Sequence, residues 1–196
     1  RISQALWSAD EARIQALLAR LRIELRSDAR WTATRTQANV AADPAAIRAT
    51  RTLLRRALEG TPEIRSIDLV VAGQEGLSSL RVTPEESGET AAGSGEAELD
   101  RELLVKALWY SDEVQHAVEA RGRRVSRGEL TIDSVDGAPR PAVRAAIALH
   151  DGDEIVQGAL VATLELGPLG TRLASLASAE TRFALVAPDG TRIGDS

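Results

Sequence analysis

The sequence predicts an α+β domain, a long N-terminal helix plus a PAS-like antiparallel sheet of about five strands flanked by helices. Three observations carry the α+β reading. Apolar residues near the N-terminus recur at helical spacing (Ile14, Leu17, Leu18, Leu21, Leu25). After Ile64 they alternate in strand fashion (Ile67, Leu69, Val71). The strand-like stretches are joined by short Gly-bearing turns, so helices and strands fall into separate blocks, the mark of an α+β chain.

Residues 2–26 form the first predicted helix, with Glu11, Arg13, Arg20, Glu24 and Arg26 around one apolar stripe. Two readings fit it: a helix packed on the domain's own sheet, or a stalk continuing upstream toward a membrane-spanning helix. A second helix starts with Asp43 as cap and Pro44 in the first turn, lines Ile47, Leu54 and Leu58 on one face, and ends at Gly60 and Pro62. The stretch Ser27 to Ala42 has no clear period. From Ile64 a half-buried strand sets Ile67, Leu69 and Val71 against Ser66, Asp68 and Val70, and the turn Gly73–Gly76 leads into a second strand at Leu77–Thr83.

Residues Pro84 to Ala97 carry three Gly and four Glu with no large apolar residue, a loop composition. Helical stretches follow at Leu99–Tyr110 and Asp112–Ala120. Three strands are expected next, at Gly128–Val135, Ala142–His150 and Ile155–Leu166, with hairpin turns at Asp136-Gly137 and Asp151-Gly152. A helix bearing Leu169, Leu173 and Leu176 and a strand at Phe183–Ala187 complete the chain. The expected organisation is a helical stalk over 1–60, a sheet domain over 61–178, and the start of a further lobe over 179–196.

Composition narrows the function. With 196 residues, 43% hydrophobic and 27% charged, the chain has an ordinary globular composition, and its net charge of −5 argues against nucleic acid as a partner. Only Trp7, Trp31, Trp109, Tyr110 and Phe183 are aromatic, too few for a base-stacking surface. There is no Cys, and His116 and His150 are the only histidines, which excludes thiolate and multi-histidine metal sites and cysteine nucleophiles. No phosphate-binding Gly-rich loop and no nucleophile elbow occurs, so no catalytic residue, metal or cofactor is expected.

Two clusters suit a binding pocket. In Trp109-Tyr110-Ser111-Asp112, two aromatics supply an apolar wall and a hydroxyl, and the Asp112 carboxylate can hold an ammonium; the plain alternative is that Trp109 and Tyr110 only cover the sheet. On the fourth predicted strand Arg144 shares a face with Ala146, Ala148 and His150, and small residues beside a guanidinium leave room for an anion. Thr163 on the fifth strand offers a hydroxyl to the same space. The alternative there is close helix packing on the alanines, with Arg144 in an ordinary ion pair. The basic run Arg121, Arg123, Arg124 and Arg127 suits either a solvated loop or contact with an anionic ligand, partner or headgroup.

The element order and several stretches resemble the extracytoplasmic PDC or Cache sensor domains of bacterial receptors, which are PAS-like. "PEIRSIDLVVAGQEGLSSLRV" looks like the family's opening hairpin, "GELTIDSVDGAPRPAVRAAIALHDGDEIVQGALVATLELGPLGTRL" like its closing three strands, and "TRFALVAPDGTRI" like the first hairpin of a second lobe. The resemblance implies a periplasmic domain between two flanking transmembrane helices that binds a small molecule and relays a helix displacement. The implied parent is a sensor histidine kinase, with a chemoreceptor or diguanylate cyclase as alternatives, as a homodimer through the N-terminal helix. A non-binding structural or dimerisation module is the other reading. Trp109-Tyr110-x-Asp112 is similar to the piece that amino-acid-binding members carry. The family's Arg two residues before the Trp is Ala107 here, beside Lys106, its Tyr near the end of the third strand is Val135, and its Asp on the fifth strand is Thr163. These departures argue against free α-amino acids as ligands.

Overall fold

The computed structural model describes residues 2–27, 44–73, 76–84, 103–135, 138–150, 156–165, 184–186 and 192–195. Helix α1 spans Ile2–Ser27 and α2 spans Pro44–Glu59, close to the sequence expectation. Strands β1 (Ile64–Gly73) and β2 (Gly76–Val82) form the opening hairpin. Helix α3 is described over 103–109, and α4 is Asp112–Glu119. Strands β3 (Ser126–Val135), β4 (Ala138–His150) and β5 (Val156–Glu165) follow. A separate two-stranded sheet pairs β6 (Ala184–Val186) with β7 (Arg192–Asp195). The expected loop at 84–97 past Pro84, the Ser27–Ala42 stretch past Ser27, and the helix bearing Leu169 lie outside the described residues.

The main sheet has five strands in the order β2-β1-β5-β4-β3, every neighbouring pair antiparallel. The first and last strands of the run, β1 and β5, therefore pair at its middle. Strand β1 was expected to be half-buried; instead Ser66, Asp68 and Val70 are as buried as Ile67, Leu69 and Val71. A strand flanked on both sides by others, with helices against both faces, has no solvent face, so its polar residues lie inside the molecule. Strand β4 begins four residues before the expected Ala142, across Pro139 and Pro141. Its pairing with β5 starts only at Ala142↔Glu165, so both prolines sit where β4 pairs with β3 alone and a missing N–H costs little.

Each sheet face has its own core. On one, Ile14, Leu17, Leu18, Leu21 and Leu25 of α1 and Leu54, Ala57 and Leu58 of α2 pack on Ile67, Leu69 and Val71 of β1, Ala145, Ile147 and Leu149 of β4, and Leu160, Ala162 and Leu164 of β5. On the other, Val105 and Leu108 of α3 and Val114 and Ala117 of α4 pack on Val70, Ala146, Ala148, Ala159 and Val161. The period-2 alternation of the strands thus feeds two layers at once. The alanines of β4 let α4 approach closely, as close packing requires of small side chains.

Helix α1 is tied to the rest of the domain at two places. Near its middle Arg13 Nη1 pairs with Glu63 Oε1 at 3.2 Å, on the turn entering β1. One end of the contact is the Glu63 backbone, whose carbonyl accepts from Glu165 N at 3.0 Å. Farther along, Arg22 reaches the turn after α4. That turn closes with Gly122 N donating to Ala117 O (3.1 Å) and Arg121 N to Val118 O (2.8 Å), and it carries two successive left-handed residues, Arg121 (φ 49) and Gly122 (φ 64). A side-chain carbon on Gly122 would stand 2.5 Å from Ala148 O, 3.0 Å from His150 Cδ2 and 3.2 Å from Arg22 Nη1. Glycine is required there on both counts, backbone angle and space.

Candidate functional site

The α3/α4 face of the sheet is divided. Under α3 and α4 it is apolar. Toward the N-terminal end of β1 it turns polar, and register lines the polar residues up across four strands. Arg81 of β2 stands opposite Asp68 of β1, Ser66 of β1 opposite Thr163 of β5, and Thr163 opposite Arg144 of β4. Asp68 (0% exposed), Ser66 and Thr163 are all buried. Asp68 is held by a two-pronged guanidinium contact, Arg81 Nε to Oδ1 at 2.7 Å and Nη2 to Oδ2 at 3.2 Å, with Ser66 Oγ a longer 3.5 Å from Oδ2. The Arg81 side chain is 38% exposed, so the pair bridges from the interior to solvent.

Of the residues expected to bind, Arg144 and Thr163 are thereby brought side by side, with Arg144 half-buried. Trp109 is half-buried against the apolar layer of the same face, beside Leu108 and Val114. Its backbone is fixed by the corner between α3 and α4: Gln115 Nε2 donates to Trp109 O at 2.8 Å, Ser111 Oγ to Leu108 O at 2.7 Å, and Tyr110 N to Lys106 O at 2.9 Å. Because the Ser111 hydroxyl turns back to α3, it makes no side-chain cap on α4. The same corner turns the other two residues outward. Tyr110 is 70% exposed and Asp112 is exposed.

The carboxylate that faces the sheet is Glu113, one residue on, and sequence reasoning missed it. Glu113 is 6% exposed. It packs flat on Gly128 of β3, where an added side-chain carbon would meet Oε2 at 2.8 Å and Cδ at 3.0 Å. Gly128 sits in an irregular stretch: Arg127 pairs with Ala145 and Leu130 with Val143, so two residues of β3 oppose the single Arg144. No hydrogen bond or ion pair reaches Glu113 from the described residues. Its place in the first turn of α4 favours a negative charge by about 0.3–2 kcal/mol. Burying an unpaired ion costs several kcal/mol. The first effect does not offset the second. The signal available in sequence was the 3.6-residue period of α4, which puts Glu113 on the stripe of Val114 and Ala117.

The opposite face offers no comparable place. A cavity of about 20 Å³ lies beneath α1, lined by Ile14, Arg127, Val143, Ala145 and Leu164 among others, room for one water. The basic run frames an open basin of about 450 Å³ at the end of α4, lined by Glu119, Ala120, Arg121, Arg123 and Arg124. His116 and His150 are exposed and half-buried respectively, and among the described residues no group of three or more His, Asp or Glu could hold a metal. Among the described residues no helix is long and apolar enough to cross a membrane.

No family model matches the chain, and no match is found among curated proteins. Solved structures do match. The sensory domain of the Campylobacter jejuni chemoreceptor Tlp3 aligns with a TM-score of 0.65 at 12% identity, covering 99% of this chain and 67% of that one. The ligand-binding domain of the same receptor in complex with L-valine aligns with a TM-score of 0.63 at 11% identity, covering 99% and 66%. The periplasmic sensory domain of the C. jejuni chemoreceptor Tlp1 aligns with a TM-score of 0.55 at 15% identity, covering 96% and 69%. The chain spans about two thirds of each. At these identities the likeness is one of fold, and the fold is that of the PDC/Cache-like sensory domains.

Proposed function

We propose that this chain is the extracytoplasmic ligand-sensing domain of a bacterial membrane receptor, binding a small molecule on the α3/α4 face of its sheet. The observation that carries the reading is the row Arg81–Asp68, Ser66–Thr163–Arg144 beside the Trp109 layer. Buried polar groups gathered at one end of an otherwise apolar face are what fix a small ligand's orientation. Trp109, Arg144 and Thr163 form the site, and Tyr110 and Asp112 stand at its solvent edge, where they meet only the outer part of a ligand. The fold likeness to chemoreceptor sensory domains supports a periplasmic location and flanking transmembrane helices. It also makes a chemotaxis output as good a fit as the histidine kinase or cyclase.

A ligand seated there bears on α4, and the turn at its end touches Arg22 of α1. Binding therefore biases α1 between two packings on the sheet or against a partner protomer's α1, as a shift of population set by the ligand's differential affinity. The test is a thermal-shift screen of the domain against organic acids, amines and sugars, followed by titration of Trp109→Ala and Arg144→Ala with the compound that stabilises most. Affinity should fall in both variants. Unchanged affinity in both would remove the site assignment, and no stabilisation by any class would favour the structural or dimerisation module.

A further inference from the structure

The geometry points to Glu113 as the counter-ion for a cationic group on the ligand, so that the molecule sensed is a small amine. This rests on the sensor reading above and specifies its ligand class. Four observations converge. Glu113 is buried to 6% exposure, yet no hydrogen bond or ion pair reaches it from the described residues. Its carboxylate lies on the α3/α4 face, the face bearing Trp109. The strand beneath it is irregular there and has glycine at the one position where any side chain would displace the carboxylate. The neighbouring Asp112, expected to hold an ammonium, is exposed instead.

A carboxylate serving only the fold would be paired, because a buried charge without a partner is destabilising. Left unpaired, it is a group whose partner arrives from outside, and an ammonium is the charge and size that match it. Across the irregular stretch stands Arg144, with Thr163 beside it. A ligand whose ammonium meets Glu113 can therefore place an oxygen acceptor toward Arg144 and Thr163, and a short amino alcohol has both groups.

The experiment uses the 196-residue chain with n-butylamine and 3-amino-1-propanol as cationic probes, 1-butanol as the neutral one and butyrate as the anionic one. Binding is read by calorimetry and thermal shift in wild type, Glu113→Gln and Gly128→Ala. The amines should bind wild type and the other two probes should not. Both variants should weaken amine binding by about tenfold or more, since each removes or displaces the carboxylate. Glu113→Gln should also leave the ligand-free melting temperature unchanged or raised, whereas a purely structural Glu113 would lower it. Amine binding that persists in Glu113→Gln overturns the inference. Butyrate binding without amine binding overturns it too, while leaving the sensor reading intact. Binding of no probe of any class overturns both.

Discussion

The two faces of the main sheet are built from the same strands by the same alternation, and they are covered differently. The face under α1 and α2 is filled by leucine, isoleucine and valine from helices of 26 and 16 residues. The face under α3 and α4 is covered by two short helices, uses alanine where the first uses leucine, and buries Ser66, Asp68, Thr163 and Glu113. Large apolar side chains interlock and leave a face with one packing, which suits a support. A face of small residues and buried polar groups gives up stability in exchange for places that recognise something. The difference separates holding the domain together from reading a molecule.

Substitutions can break this contrast, and the largest effect belongs to the first face. Leu21→Ala removes a fully buried side chain of α1 and should cost about 2–5 kcal/mol in urea unfolding. Arg81→Met leaves the Asp68 carboxylate buried without its partner; the exposure of Arg81 tempers the loss to about 1–3 kcal/mol. The double variant with Asp68→Asn should recover part of that, measured as a thermodynamic cycle. Gly122→Ala should cost about 1–3 kcal/mol, because the left-handed backbone and the Ala148 carbonyl both resist a side chain. Arg13→Met should change stability by less than about 1 kcal/mol, since its pairing with Glu63 is largely solvated on the Arg side. An Arg13 variant as damaging as Leu21→Ala would show that α1 is held by charge rather than by its apolar stripe.

Much of this fold was legible in the sequence, for a physical reason. Periods of 3.6 and 2 are imposed by burial, so the α1 stripe, the β1 alternation and the Gly-bearing turns each announced an element within a few residues of its observed bounds. The extent of β4 was hidden because proline reads as a strand breaker until one knows that β5 ends before Pro141. The site was less legible. Arg144 and Thr163 could be placed on one face from alternation alone, but their direct pairing depends on register, which local pattern does not determine. The Asp68–Arg81 pair looked like the polar half of a half-exposed hairpin, since nothing local shows that β1 is central. Asp112 was preferred over Glu113 because it completed a familiar spacing, whereas the corner made by Ser111 and Gln115 turns Glu113 inward.

The most direct measurement compares two arginines one strand apart on opposite faces. Arg144 lies on the α3/α4 face, and Arg127 lines the small cavity on the α1 face. Calorimetric titration of Arg144→Ala and Arg127→Ala with the compound that most stabilises the wild-type domain reads which face holds the ligand. The expected result is affinity weaker by about tenfold or more for Arg144→Ala and unchanged for Arg127→Ala. Loss of affinity in Arg127→Ala with Arg144→Ala unaffected would contradict the assignment and move the site to the α1 face.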